Sequence, residues 1–129
     1  MLLEVSQRLS GGVAILDLVG RVTIGQDADS LRIHMMDAFK TSHYVLLNCE
    51  KVTFADSSGI GEMVAAYSSI LREGGVVKLL NPHKRMRYLL EVTNLDKVFE
   101  ILDDEGKAVA SFNAANSAPG QQGMNEFLG

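Results

Sequence analysis

The segment Phe54-Ala55-Asp56-Ser57-Ser58-Gly59-Ile60-Gly61-Glu62 sets two hydroxyls between a carboxylate and a glycine, directly ahead of an apolar repeat of helical period. Residues of these types at this spacing can do two things. An aspartate or serine can cap a helix, its side-chain oxygen accepting from an unpaired backbone N–H, for about 1 kcal/mol. A carboxylate and hydroxyls presented at such a place could instead belong to an enzyme, a ligand-binding domain or a regulatory switch. Local spacing alone favours the structural cap.

Other chemistries lack partners in the chain. DSSGIG is not the G-x-S-x-G of a nucleophile elbow, and His34, His43 and His83 have no spacing that would join a nucleophile, a base and an orienting group. A phosphorelay receiver built on Asp56 would need Mg²⁺ and further carboxylates at a neighbouring strand end, where the chain instead reads LVGRVT. GRVTIG lacks the Lys-Ser/Thr of a phosphate loop and the glycine spacing of a dinucleotide site. Asp103, Asp104 and Glu105 suit a helix start better than a cation. Cys49 is the single cysteine, so neither an intrachain disulfide nor a cysteine metal cluster can form. No enzyme activity, cofactor or metal is expected.

The elements that must hold Asp56 and Ser57 follow from periodicity. Leu3, Val5 and Leu9 alternate along a first strand, Ser10-Gly11-Gly12 supplies a turn, and the apolar run Val13 to Val19, broken by Asp17, is a strand covered on both faces. Ala28, Leu31, Met35, Ala38 and Phe39 then follow helical spacing, with Gln26 or Asp27 near the start and Lys40 in the last turn. Tyr44 to Cys49 is a third strand, and a helix between two buried strands implies a parallel crossover. Ile60, Met63, Val64, Tyr67 and Leu71 mark the second helix, which Gly74-Gly75 ends. Val76 to Leu80 is a strand; Asn81-Pro82 turns into a helix with Met86, Leu89, Leu90 and Thr93; Val98 to Leu102 is a short strand; a weaker helix runs through about Phe112. The order is β-β-α-β-α-β-α-β-α.

Length and composition fit one such domain. A chain of 129 residues, 47% hydrophobic, supports one core and not two ordinary domains. Residues 1–115 are assigned to it, and the small, polar residues of 116–129 to a flexible C-terminal tail in which Phe127 and Leu128 fray. A net charge of -4 argues against direct nucleic-acid binding, which favours a basic surface. MLLEVSQRL has neither a basic n-region nor a long apolar stretch, and no run approaches the ~20 apolar residues that span a bilayer. A cytoplasmic protein with no membrane association is expected.

In a parallel sheet the loops leaving the strands' carboxyl ends share one rim, where such folds place their working groups. GRVTIGQD, EKVTFADSS and NPHKR meet there, bringing Arg21, Thr23, Lys84 and Arg85 toward Asp56 and Ser57. The run VTFADSSGIGEMV, followed by a helix, GGVVKLLNP and another amphipathic helix, resembles the STAS domain of bacterial anti-sigma factor antagonists over about residues 3 to 112. The resemblance implies an α/β fold with a mixed, mostly parallel sheet of about five strands and helices mainly on one side. It implies a switch rather than a catalyst: Ser57 is phosphorylated by an anti-sigma factor that is also a serine kinase, the unphosphorylated form binds that kinase and frees a sigma factor, and a serine phosphatase restores it. Asp56, Ser58, Gly59 and Gly61 would then support the site, with Arg21, Thr23, Lys84 and Arg85 as partner contacts. Where many family members carry acidic residues after the first loop glycine, this chain has Gly20-Arg21-Val22-Thr23. A free-standing STAS module of a transport system or stress-sensing scaffold is the alternative, and a homodimer stays open.

Overall fold

A computed structural model describes residues 3–117. Two glycines in the left-handed region, Gly11 (φ 56°) and Gly12 (φ 81°), close a two-residue hairpin between β1 (Glu4–Ser10) and β2 (Val13–Val22), pairing Ser10 with Val13. The chain continues through α1 (Gln26–Thr41), β3 (Tyr44–Ala55), α2 (Ser57–Arg72), β4 (Val76–Leu80), α3 (Lys84–Val92), a 3₁₀ turn at Leu95–Lys97, β5 (Ile101–Leu102) and α4 (Glu105–Ser117). The five strands lie in sequence order, with β1 antiparallel to β2 and every other pair parallel.

The continuous apolar runs of β2, β3 and β4 are explained by cover on both faces. One face carries Ala14, Leu16, Val45, Leu47 and Leu79, packed under Leu31 and Met35 of α1, Ile60 and Met63 of α2, and Met86 and Leu90 of α3. The other presents Val13, Ile15, Leu46 and Leu80 to Ala108 and Phe112 of α4. The mostly one-sided arrangement of helices expected from the sequence is therefore present, with α4 alone on the far side. Met35 and Met63 are fully buried, Met36 is half-buried, and Cys49 is a buried apolar residue whose thiol burial pushes up to about 12.

Element bounds shift where tertiary pairing extends them. The third strand does not stop at Cys49 but runs on to Ala55, and the second continues past Val19 to Val22. Register shifts between Asp17 and Val19 and between Gly20 and Arg21 let β2 and β3 stay paired after their strict alternation breaks. The last strand shrinks to Ile101–Leu102 because Leu95–Lys97 winds into a 3₁₀ turn. The final helix passes Phe112 and takes in the first two residues assigned to the tail, to Ser117. The remainder of the tail, including Phe127 and Leu128, lies outside the described residues. Leu9, read as part of a covered face, is 60% exposed, whereas Leu3, just ahead of β1, is buried and donates its N–H to Asp27 of α1.

Polar groups fix α4 to the sheet. Arg8 spans two carboxylates: its Nε and Nη2 donate to Asp17 at 2.6 and 3.1 Å, and its Nη1 and Nη2 to Glu105 at 2.8 and 2.7 Å. Asn48 Nδ2 adds a bond to Asp17 at 2.8 Å, and Asp104 caps α4 by accepting from the N–H of Lys107 at 2.8 Å. Farther along, buried Lys78 donates to Ser111 Oγ at 2.8 Å, pairs with Glu100 at 3.0 Å and lies over the Phe112 ring.

Hydrogen bonds from Arg8 hold the Asp17 and Glu105 carboxyls below their usual range. A lowered folded-state pKa contributes stability above the unfolded pKa, lost as pH falls through the folded value. Urea midpoints should therefore drop as pH falls from about 5 toward about 2, and more steeply in the parent chain than in Arg8→Gln. Equal slopes in the two chains would disprove the role given to Arg8.

Candidate functional site

Asp56 is the only residue between β3 and α2. Its backbone is extended (φ -116°, ψ 169°), as an N-cap requires, and its Oδ1 accepts from the N–H of Gly59 at 2.6 Å. The same residue reaches the end of β2. Its N–H donates to the Val22 carbonyl at 3.1 Å, and its Oδ2 accepts from the N–H of Ile24 at 3.3 Å. Both carboxylate oxygens thus hold backbone, which makes Asp56 a clamp between the two loops and not a base aimed at a neighbouring hydroxyl.

Gly59 is set by contact and not by backbone freedom. A Cβ built there would lie 2.2 Å from the Val22 carbonyl oxygen and 2.7 Å from its carbon, so any other residue would push the first turn of α2 away from β2. Gly61 differs, since a Cβ there meets nothing within 4 Å.

Ser57 and Ser58 are exposed and follow Asp56 as the first residues of α2. Neither hydroxyl makes a hydrogen bond among the described residues, and no acid stands in the helix's first turn. Ser58 therefore gives the loop no hydrogen bond of its own; the support comes from Asp56 and Gly59. The N–H groups of Ser57 and Ser58 belong to the unpaired first turn, beside the positive end of the helix dipole. This corner can hold an anion on Ser57.

The expected flanking residues separate into three environments. Thr23 Oγ1 donates to Asp27 Oδ2 at 2.9 Å, while Asp27 Oδ1 accepts from the N–H of Leu3 at 2.8 Å, so the Thr23 hydroxyl is turned to an internal contact. Lys84 lines an open hollow of about 440 Å³ with Glu50, Asn81, Pro82, His83 and Arg87. Arg85 leaves the same helix in another direction, donating from Nε to the Ala55 carbonyl at 3.1 Å, with its guanidinium 4.9 Å from the centre of the Phe54 ring. Arg21 lies 5.5 Å from that ring. Arg21 and Arg85, far apart in sequence, thus converge on one aromatic side chain just before Asp56, at ~0.5–1 kcal/mol per exposed cation–π contact.

Sequence reasoning missed two exposed apolar residues in this corner, Ile24 and Phe54, which are 67% and 38% exposed. Phe54 gave a signal, an aromatic directly ahead of ADSS in a segment predicted to be loop. Ile24 gave none, since one apolar residue in a loop is ordinary.

The glycines give a paired test. Gly59→Ala should destabilise by on the order of 2–3 kcal/mol, the range of overpacking against an unyielding backbone, whereas Gly61→Ala should be neutral or stabilise by up to about 1 kcal/mol through helix propensity. Urea unfolding followed by circular dichroism measures both. Similar midpoints for the two variants would refute the contact assigned to Gly59.

Comparison with known proteins shows the family and the fold. The chain is 25% identical over 118 residues, 90% of its length and all of the relative, to the anti-sigma F factor antagonist of Paenibacillus polymyxa. A candidate anti-sigma factor antagonist from Thermotoga maritima, solved by crystallography, superposes with a TM-score of 0.75 at 26% identity, covering 83% of this chain and 92% of that one. The phosphorylated form of the Bacillus cell fate determinant SpoIIAA shares the fold, with a TM-score of 0.64 at 20% identity and coverage of 85% and 98%. The STAS domain profile matches residues 4–108, and the chain belongs to the STAS domain family.

Proposed function

We propose that this domain is an anti-sigma factor antagonist whose binding surface is switched by phosphorylation of Ser57. The observation that carries the reading is the exposed Ser57 hydroxyl at the first position of α2, beside a carboxylate wholly engaged in holding the loop. It is supported by relatives named as antagonists and by a fold relative solved in a phosphorylated form.

The partner is an anti-sigma factor with serine kinase activity. Binding of the unphosphorylated chain removes that partner from a sigma factor. In the modifying step Ser57 Oγ forms a bond to the γ-phosphorus of ATP, the bond to the bridging oxygen breaks, ADP leaves, and the hydroxyl proton passes to a base of the kinase. A serine phosphatase hydrolyses the ester and restores the hydroxyl. The chain contributes an acceptor and a surface, and no catalytic group of its own.

The physical reason for a switch is an asymmetry of cost. A phosphate adds about -1.5 to -2 charges. Within its own domain it meets unpaired N–H groups and a favourable dipole, so the fold accommodates it. A partner shaped to a bare hydroxyl meets added bulk and charge it must desolvate, a cost of several kcal/mol of the order seen when buried charges lose their partners. Release then needs no unfolding. Among the described residues no helix is long and apolar enough to cross a membrane, which suits action in the cytoplasm beside the transcription machinery.

Incubation with the serine kinases of the same genome and ATP, followed by peptide mass mapping, should place one phosphate on Ser57 and none on Ser58. Ser57→Asp should weaken kinase binding at least about tenfold, or 1.4 kcal/mol, with an unchanged thermal midpoint. Unaltered binding by Ser57→Asp would overturn the switch. Copurification with transport components and no modified serine would instead favour a free-standing module.

A further inference from the structure

Two arginines from distant parts of the chain converge on the Phe54 ring. Arg8 and Arg32 are each paired with carboxylates, whereas Arg21 and Arg85 are paired with none among the described residues. Both lie over one half-exposed aromatic ring, and Arg85 is anchored there by the Ala55 carbonyl through Nε alone. Stacking on a ring and a bond at Nε restrict the Arg85 guanidinium, while its terminal N–H donors have no partner among the described residues, an arrangement that suits bidentate capture of carboxylates.

We propose that Arg21, Phe54 and Arg85 form a docking site for an acidic segment of a partner protein, with the Phe54 ring as its apolar floor. Charge complementarity identifies the occupant: two cations unpaired among the described residues, in a protein of formal net charge -4, suit carboxylates from outside. Aromatic and arginine side chains together are also the composition of residues that dominate binding energy at interfaces. The site lies immediately before Asp56-Ser57, so its regulation follows from its position. A phosphate on Ser57 lowers the positive potential at the two guanidinium groups and competes with the partner's carboxylates for them. That regulatory part rests on the switch proposed above; the docking site itself does not.

A glutamate-rich synthetic peptide serves as the probe, titrated into the full chain with the arginine Nε–H and Phe54 ring resonances followed by NMR. Saturable shifts centred on Arg21, Arg85 and Phe54 are expected, weakened at least about tenfold by the double change Arg21→Glu/Arg85→Glu and by raising NaCl from about 50 to about 500 mM. Amide spectra of the double variant verify that the fold is kept, and Phe54→Ala gives a second variant in which binding weakens with the charges in place. Shifts spread evenly over Lys40, Arg72 and Lys97, with equal affinity in the double variant, overturn the proposal. The purified anti-sigma kinase forms a separate arm. Peptide docking without kinase binding sinks the antagonist reading and leaves the docking site standing; kinase binding that ignores the double variant, with diffuse peptide shifts, does the reverse.

Discussion

A carbonyl and a missing side chain hold this molecule's working corner together. The Val22 oxygen at the end of β2 accepts from Asp56, and the first turn of α2 comes so close to it that Gly59 has no room for a Cβ. That approach fixes where α2 begins, and therefore where Ser57 emerges. Asp56 secures the same junction from the other side, one carboxylate oxygen on the helix and the other on the loop after β2. Two successive crossovers of the parallel sheet are thus joined at a point, which is why an exposed hydroxyl can occupy one well-defined place.

The division of labour between the two faces of the sheet follows from this. Three helices bury the larger core and deliver their loops to the rim, while α4 covers only part of the opposite face. Ion pairs there add to the apolar contacts that Ala108 and Phe112 make with the sheet. Arg8 joins the hairpin to the start of α4, and Lys78, buried but paired with Glu100 and bonded to Ser111, joins β4 to its middle. Buried charges are tolerated because each has a partner. None of these groups lies in the segment Phe54–Gly59, so the contacts that fix α4 are separate from the proposed binding surface.

Separation of that kind is what a reversible modification needs. Under the switch proposed above, charge added at Ser57 would fall on unpaired N–H groups and not on a buried pair, so its effect would be directed outward. In the docking site proposed above, the arginines on Phe54 would make the same corner sensitive to charge, since they pair with no carboxylate among the described residues.

Helix periodicity, the glycine hairpin and the apolar runs were enough to order every strand and α-helix, though not the 3₁₀ turn, because each depends on neighbours in the chain. The family resemblance of VTFADSSGIGEMV singled out Ser57, and capping chemistry explained Asp56, since an N-cap bond spans only three residues. Tertiary structure decided what depends on pairing at a distance. Strands β2 and β3 outran their local patterns because each gave the other hydrogen-bond partners, which turned predicted loop at Lys51–Ala55 into sheet and carried Phe54 to the rim. Lys84 and Arg85, adjacent and alike in charge, were sent to different surfaces by the angular step of a helix, and Thr23 was claimed by Asp27. The sequence by itself determined the elements, the cap and the candidate acceptor; only the folded chain decided which distant groups stand beside that acceptor, because such contacts arise from strand register and helix placement that no local spacing records.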